Sequence, residues 1–515
     1  MRSTVSPRAL SGAVSEPALS EAQDLGAITA HLERPAGRGH LPPGAFGGAA
    51  GGAPCGDLVR ISLSLSGSRA HACAGDRIAD AGFDASGCGA LIAAGSAAVS
   101  LLRGAPLLEA ARIGPDAIAA ELGGLSEHAR HAAELVSDAL HRALGAAARH
   151  GARLAPLAGR TLVAMSGGVD SAVAALLLRR SAHDVVAVTL ELWADPENDA
   201  RQSCCSAHSV RQARAVAHDL GIPHLSVDLR AEFRSGVVEP WLAGHRGGLT
   251  PNPCLRCNGS VRLDAMIALC DRLGAEALAT GHYARLHRPP DAAAPLLRLA
   301  ADRRKDQSYA LAGLAPSSLA RLRFPLSELT KDQVRAIAAD ASLAVAGQPD
   351  SQDLCFLAGT SHRRFLERHG GIAGRPGPIV DAHGLRLGTH AGHQRFTVGQ
   401  RHGLGIAAPG PHFVLRTDPA ANSVTVGPRE ALRTDRIAID RVTLHRPGSS
   451  VDGVRIRSRG ALLACTLPGA PRAGRHRTVA VALASPTERT APGQLACLYA
   501  GELIVGHGTV AREHA

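Results

Sequence analysis

Leu162-Val163-Ala164-Met165-Ser166-Gly167-Gly168-Val169-Asp170-Ser171, with the apolar run 172–178 behind it, decides the fold of this chain. Three apolar residues end a buried strand, Ser-Gly-Gly turns the backbone, and Asp-Ser opens a helix. Glycines in such a turn let N–H groups approach an anion with no Cβ in the way. The helix N-terminus adds its own unpaired N–H groups and partial positive charge. This is a phosphate cradle, but not a Walker A loop, which requires Gly-x-x-x-x-Gly-Lys-Ser/Thr. Taken alone, the stretch can also be an ordinary glycine turn between a strand and a helix.

Downstream, 185–190 is a second buried run, 210–220 has helical spacing, and 225–228 and 275–280 are short strand candidates. Strands alternating with helices predict a parallel sheet with its ligand site at the carboxyl ends of the strands. The loop 166–170 and the loop opened by Gly281-His282 lie at such ends. The first loop resembles the Ser-Gly-Gly-x-Asp-Ser loop of the PP-loop ATP pyrophosphatases. That resemblance implies ATP as substrate, its pyrophosphate gripped while an oxygen of the second substrate is adenylated.

Thr250-Pro251-Asn252-Pro253-Cys254-Leu255-Arg256-Cys257-Asn258 is the second anchor. Its prolines stiffen the approach, so the Cys-x-x-Cys is presented from a rigid loop. Asp350-Ser351-Gln352-Asp353-Leu354-Cys355-Phe356 offers a further thiol. Together with Lys305-Asp306-Gln307 and Gly399-Gln400-Arg401-His402-Gly403-Leu404-Gly405, these motifs resemble the bacterial tRNA-specific 2-thiouridylases (MnmA family) over residues 160–510. The resemblance implies replacement of the 2-oxygen of wobble uridine 34 by sulfur, in tRNAs of the Lys, Glu and Gln type. ATP is the activating substrate, with Mg²⁺, and a cysteine desulfurase or sulfur-relay protein is the donor.

Carried over by position, Cys257 is the nucleophile that carries the persulfide, and Cys355 resolves it by forming a disulfide with Cys257. Ala164, Met165, Ser166, Gly167, Gly168, Val169, Asp170, Ser171, Leu190 and Gly281 match the ATP-binding positions. Asn252, Pro253 and Cys254 match target-base contacts; His282, Lys305, Asp306, Gln307, Arg457, Ser458 and Gln494 match tRNA contacts. Ser458 replaces a family tyrosine, which removes a stacking surface. Cys254 stands where many relatives have aspartate. Cys254, Cys257 and Cys355 could therefore hold three corners of a 4Fe–4S cluster, and ligand softness does not choose between that and the persulfide relay.

Upstream, Pro54-Cys55-Gly56-Asp57, the alternating run 58–65, Ser86-Gly87-Cys88-Gly89 and His131-Ala132-Ala133-Glu134-Leu135 resemble IscU/NifU-type iron–sulfur scaffolds. The resemblance implies that Cys55, Asp57, Cys88 and His131 bind zinc or a labile cluster. Ala132 stands where that family has its third cysteine, a poorer set for iron. A protein-docking module without metal is the alternative. Fusion to the thiolase part implies sulfur or cluster transfer within one chain, with tethering raising effective concentration.

The fold class expected is multidomain: an N-terminal α+β scaffold-like domain, a central α/β PP-loop domain with a parallel sheet, and C-terminal small β-barrel domains. The boundaries expected are a flexible Gly/Pro/Ser-rich leader at 1–48, the scaffold-like domain at 49–150, the PP-loop domain at 155–360, a small β-rich domain at 361–431 and a barrel at 432–515. No apolar run approaches a membrane span and the N-terminus lacks a signal peptide's apolar centre, so a soluble cytoplasmic protein without membrane contact is expected.

Net charge +11 suits a polyanionic partner. Eleven cysteines without a secretion signal point to thiol or metal chemistry. Cys204, Cys205, Cys270, Cys465 and Cys497 are read as packing or incidental thiols, with a role for the adjacent pair Cys204-Cys205 beside the ATP domain as the alternative, and a lone Cys73 in another context would read as a small core residue. The chain has only two lysines, Lys305 and Lys331, each opening a Lys-Asp-Gln tripeptide. Lys331-Asp332-Gln333 follows Thr330 and reads as a helix capping box with a structural role. Two rivals are an amide-forming PP-loop synthetase, which needs no tRNA, and an iron–sulfur carrier whose thiolase part only docks tRNA.

Overall fold

The computed structural model describes residues 25–52, 56–66, 76–195, 206–290, 294–349, 354–357, 359–372, 374–407 and 410–512. Expectations for Cys55, Cys73, Cys204, Cys205 and residues 350–353 fall outside them.

The N-terminal unit is an antiparallel meander, β1 (Phe46–Gly51), β2 (Leu58–Leu65) and β3 (Ile78–Ser86), backed by helices Gly89–Leu102 and Arg130–His150. The unit begins earlier than expected. Residues 25–33 are helical, and Gly39 donates its N–H to the Phe83 carbonyl while the Phe83 N–H donates to Gly37. The glycines that read as a flexible leader are there for packing: Gly37 has φ +75° and lies against Val99 and Ala81, where a Cβ has no room.

The central sheet has order β10-β7-β4-β5-β6, all parallel: β4 (Arg160–Ala164), β5 (Asp184–Glu191), β6 (His224–Asp228), β7 (Ala277–Thr280) and β10 (Leu322–Arg323). Its edge strand β6 is covered by helix Arg130–His150 of the N-terminal unit, a common way of protecting a sheet edge. Gly145 permits this approach, since a Cβ there would collide with the Ser226 carbonyl. Arg142 pairs with Glu191 at 2.7 Å, and Asp138 with Arg214 at 2.8 Å. One apolar core runs from Ile61 and Leu140 through Leu162 and Leu225 to Tyr309. The two units are therefore docked through a shared core, which corrects the picture of a tethered carrier. Deleting residues 1–150 would strip the sheet edge, so that truncation does not isolate sulfur delivery.

The C-terminal region holds two sheets. The first is β12-β11-β14-β13: β11 (Gly377–Val380), β12 (Arg386–His390), β13 (Phe413–Asp418) and β14 (Ser423–Gly427). Residues 396–401, which alternate like a strand, instead form a turn around Gly399 (φ +87°). The second comprises β15 (Arg433–Leu444), β16 (Gly453–Arg455), β17 (Leu463–Thr466), β18 (Gly474–Glu488), β19 (Leu495–Ala500) and β20 (Leu503–Val510), and pairing of β15 with β20 closes it into a barrel. The hairpin β8 (Arg285–His287) and β9 (Leu296–Arg298), expected within the PP-loop domain, joins this sheet through Leu503 and Arg298.

Candidate active site

Strand β4 ends at Ala164 and helix Val169–Arg180 begins five residues later. Gly167 takes φ +78°, and a Cβ on it would meet the Ser209 carbonyl oxygen at 2.5 Å. Gly168 caps the helix without any side-chain hydrogen bond, so the first N–H groups stay turned toward the loop. Ser171 Oγ donates to the Gly168 carbonyl at 2.9 Å and accepts from Ser166 N at 3.2 Å, which fixes the turn. Gly281 packs against this helix start; a Cβ there would lie 2.7 Å from the Asp170 carbonyl carbon. A cleft of about 280 Å³ opens beside the loop, lined by Met165, Ser166, Leu190, Arg262 and Met266 among others. It contains the expected nucleotide positions Ala164 and Leu190, together with an arginine that was not expected there.

Asp170 is the most heavily engaged residue of the loop. Its carboxylate accepts from Lys331 Nζ at 2.7 and 2.9 Å and from the Tyr283 hydroxyl at 2.8 Å. The capping box of Thr330 and Gln333 is present as expected. The structural role given to this second tripeptide is nevertheless incomplete, because its buried lysine reaches Asp170 of the loop 166–171. Helix Lys331–Asp340 packs on helix Val169–Arg180, and the capping box sets where its first residue points. A signal existed in the sequence: an ammonium retained in a chain whose cations are otherwise arginines.

The cysteine loop leads into the turn that supplies Arg262 to the cleft. The Asn252 side chain accepts from the Cys254 N–H at 3.0 Å and so caps the turn Pro253–Arg256. Cys257 opens a widened helical turn, Cys257–Leu263, kinked at Gly259; such turns recur at functional sites. Arg262 of the same turn lines the cleft, which ties the Cys257 segment to the nucleotide side. Cys257 is buried, whereas Cys254 and Cys355 are half-buried. All three are thiols, as is every cysteine among the described residues. Cys355 adjoins Phe356, which is anchored between the rings of Trp241 and Phe365. Burial raises Cys270 to about 12 and Cys465 to about 11, in keeping with packing roles.

The expected tRNA-contact positions divide. Arg457 and Ser458 are exposed on the barrel. Gln494 donates to the Thr250 carbonyl at 2.6 Å, and Thr250 N donates to Pro492, which clamps the barrel onto the cysteine loop. Gln307 accepts from Tyr283 N at 2.9 Å. The Asp306 carboxylate is buried, accepting from Ser308 Oγ at 3.0 Å and Arg455 at 2.9 Å, so it links the PP-loop domain to the barrel. Burial, then the nearby Arg262, push His282 down to about 3, leaving a neutral ring held by Thr280.

In the N-terminal unit, Asp57, Cys88 and His131 bring one ligand atom each within 4.8 Å of one another, the one such trio among the described residues. Burial works to raise the Asp57 carboxyl; the Cys88 amide and thiol and the His131 ring outweigh it and hold it below the usual range. Ala132 is fully buried and offers no ligand.

Residues 159–359 match the tRNA methyl transferase HUP domain, 363–428 its PRC-barrel domain, 446–510 the aminomethyltransferase beta-barrel domain, and 24–151 the NifU-like N terminal domain. Over 501 residues the chain is 40% identical to the bifunctional protein NifU/MnmA of Rubrobacter xylanophilus, spanning 95% of this chain and 98% of that one. The chain belongs to the NifU/MnmA family. It is also 42% identical to the tRNA-specific 2-thiouridylases MnmA of Roseiflexus sp. and Frankia casuarinae, covering 69% and 68% of this chain and 100% and 98% of theirs. The multidomain α+β, α/β and β-barrel organisation agrees with these matches. Among the described residues no helix is long and apolar enough to cross a membrane.

Proposed function

We propose that this NifU/MnmA-family chain is an ATP-dependent tRNA sulfurtransferase that converts wobble uridine 34 to 2-thiouridine in the cytoplasm. The observation that carries the reading is a phosphate cradle at residues 166–171, with Asp170 held by Lys331, facing across one cleft to the turn that begins at Cys257. The uridine 2-oxygen attacks the α-phosphorus of ATP and pyrophosphate leaves. The open N–H groups at Gly168 and the cation of Lys331 favour the departing charge. Mg²⁺ arrives with the nucleotide, since both Asp170 oxygens already accept from protein groups.

The outer sulfur of a Cys257 persulfide then attacks C2, and AMP leaves with the original oxygen. Cys355 as thiolate attacks the inner sulfur of Cys257. That step breaks the S–S bond, leaves sulfur on C2 and creates a Cys257–Cys355 disulfide. An external dithiol resets the pair, and a cysteine desulfurase or relay protein reloads Cys257. Asn252, Pro253 and Cys254 would flank the base; Lys305, Arg457 and Ser458 would meet the RNA of a Lys-, Glu- or Gln-type tRNA. Asp57, Cys88 and His131 offer a carboxylate, a thiol and an imidazole, a set that fits zinc better than an iron cluster. A metal bound there would serve sulfur or iron reception. Three thiols at Cys254, Cys257 and Cys355 also have the chemistry to hold a 4Fe–4S cluster.

The test uses protein purified without oxygen. Iron-free full-length chain should form 2-thiouridine from ATP, tRNA and a persulfide donor, and Cys257→Ser should not. Stoichiometric iron and sulfide that disappear in Cys254→Ala together with activity would replace the relay with a cluster mechanism.

A further inference from the structure

A larger cleft, about 690 Å³, lies where three parts of the chain meet: Gly248 before the cysteine loop, β13 of the small sheet, and β15 with β20 of the barrel. That volume counts the open mouth as well as the enclosed part, which is far smaller, so the cleft is a groove open to solvent. Its walls include Leu415, Ile437 and Val510, and its polar lining is cationic: Arg416, Arg436, Arg489 and Arg512, with no carboxylate. Arg416 and Arg436 are exposed and make no salt bridge among the described residues. The neighbouring Asp418 accepts from the amides of Ala421 and Ala420 at 3.0 and 2.9 Å and also feels Arg416 and Arg512, so it offsets part of the rim's charge while making no ion pair with Arg416 or Arg436 among the described residues. The cleft borders the base-site loop. Gly248 is four residues from Asn252, at most about 14 Å of extended chain, and Arg512 donates to the Gly247 carbonyl.

Apolar walls beneath an arginine rim fit one ligand chemistry, a flat base carrying a phosphate. We propose that this cleft binds a nucleotide of the tRNA anticodon loop next to the target uridine, its base between Leu415, Ile437 and Val510 and its phosphate on Arg416 and Arg436. Single-stranded loops are read with their bases splayed out and stacked on aromatic rings or arginine planes while basic groups hold the backbone; here the arginines supply both roles over an aliphatic floor. The inference rests on the tRNA reading above. It adds a second pocket, which would hold the loop open while the uridine enters the cysteine site.

The test measures binding of an anticodon-arm RNA to the full chain across a salt series. The variants are Arg416→Ala with Arg436→Ala, and Ala438→Trp, which places an indole in the cleft from an exposed position on β15. The arginine pair should weaken binding about tenfold and lower the salt slope by about 0.7 per lost phosphate contact. Ala438→Trp should weaken it similarly. An abasic substitution at one loop position beside the uridine should cost wild type about tenfold and cost Ala438→Trp nothing more. Wild-type binding and thiolation with unaffected variants overturns the cleft alone. Saturation of the cleft by free UMP or AMP without competition against the RNA also overturns it, assigning the site to a free nucleotide. Absence of tRNA binding in wild type overturns both readings.

Discussion

The same tripeptide, Lys-Asp-Gln, occurs at 305–307 and at 331–333, and the fold gives the two copies opposite arrangements. In the first, the aspartate is buried: Asp306 is 4% exposed and locked to Arg455, while Gln307 is exposed. In the second, the lysine is buried: Lys331 is 9% exposed and locked to Asp170. The difference comes from what each copy precedes. Residues 305–307 lie between β9 and the short helix Ser308–Leu311, where Asp306 accepts from the Ala300 N–H and pairs with Arg455 of the barrel, so the acid links two domains and the lysine is left half-buried. Thr330 makes the second copy the first turn of a helix, which aims its first residue along the helix toward the phosphate loop. Identity of three residues says little about role; the element that carries them decides it.

Four substitutions sharpen this contrast. The largest effect is expected at Lys331→Met. Without the ammonium, Asp170 presents an unbalanced carboxylate at the helix N-terminus where pyrophosphate must leave, and adenylation should fall about a hundredfold. Single-turnover AMP formation checks this, and a variant with wild-type rate would reduce Lys331 to a packing residue. Asp306→Asn leaves Arg455 buried opposite a neutral group, so chemical denaturation should show a loss of about 3 kcal/mol with the AMP-forming site intact once folded. Lys305→Ala should weaken tRNA binding several-fold, with the salt slope reduced by about 1 and the turnover at saturating tRNA unchanged. Thr330→Ala should cost about 1 kcal/mol of stability and, if the cap sets the aim of Lys331, a measurable part of the adenylation rate as well.

A pH series tests the neutral ring of His282. His282 titrates near 3, so its ring is neutral in the fold above that value and carries no cation to the RNA at neutral pH. Its protonation is resisted on folding. Stability from this residue is therefore full above its ordinary value of 6.5 and is lost as pH falls toward 3. His282→Gln should leave the pH dependence of tRNA affinity between 6 and 8 flat, and should soften the acid-side loss of melting temperature. A steep gain of affinity on acidification, abolished by the substitution, would contradict the neutral ring.

Most of the central architecture was legible because its signals are local. The apolar runs at 162–165 and 185–190, the glycine turn at 166–168 and the capping box at 330–333 each specify an element within a few residues. What escaped is long-range. Lys331 and Asp170 lie 161 positions apart, and nothing near either one announces the pair. The hairpin β8–β9 carries few residues, and its pairing with Leu503 of β20, about 200 positions away, decides which sheet it joins. The glycines of residues 37–39 have the composition of a linker, whereas Gly37's tight packing and the hydrogen bonds of Gly37 and Gly39 to Phe83 dock the segment on β3. The N-terminal unit was recognisable by its motifs; its fixed seat on β6 depends on Gly145 and on ion pairs between distant segments.

The most direct measurement follows the fate of ATP and of the uridine together. Full-length chain is supplied with α-phosphate-labelled ATP, a substrate tRNA and a persulfide donor. It should release one AMP for each 2-thiouridine found by nucleoside mass spectrometry, and neither product should appear without tRNA. Cys257→Ser should lose the thiouridine, and Lys331→Met should lose both products. ADP as the nucleotide product, or AMP formed at full rate without tRNA, would contradict the account.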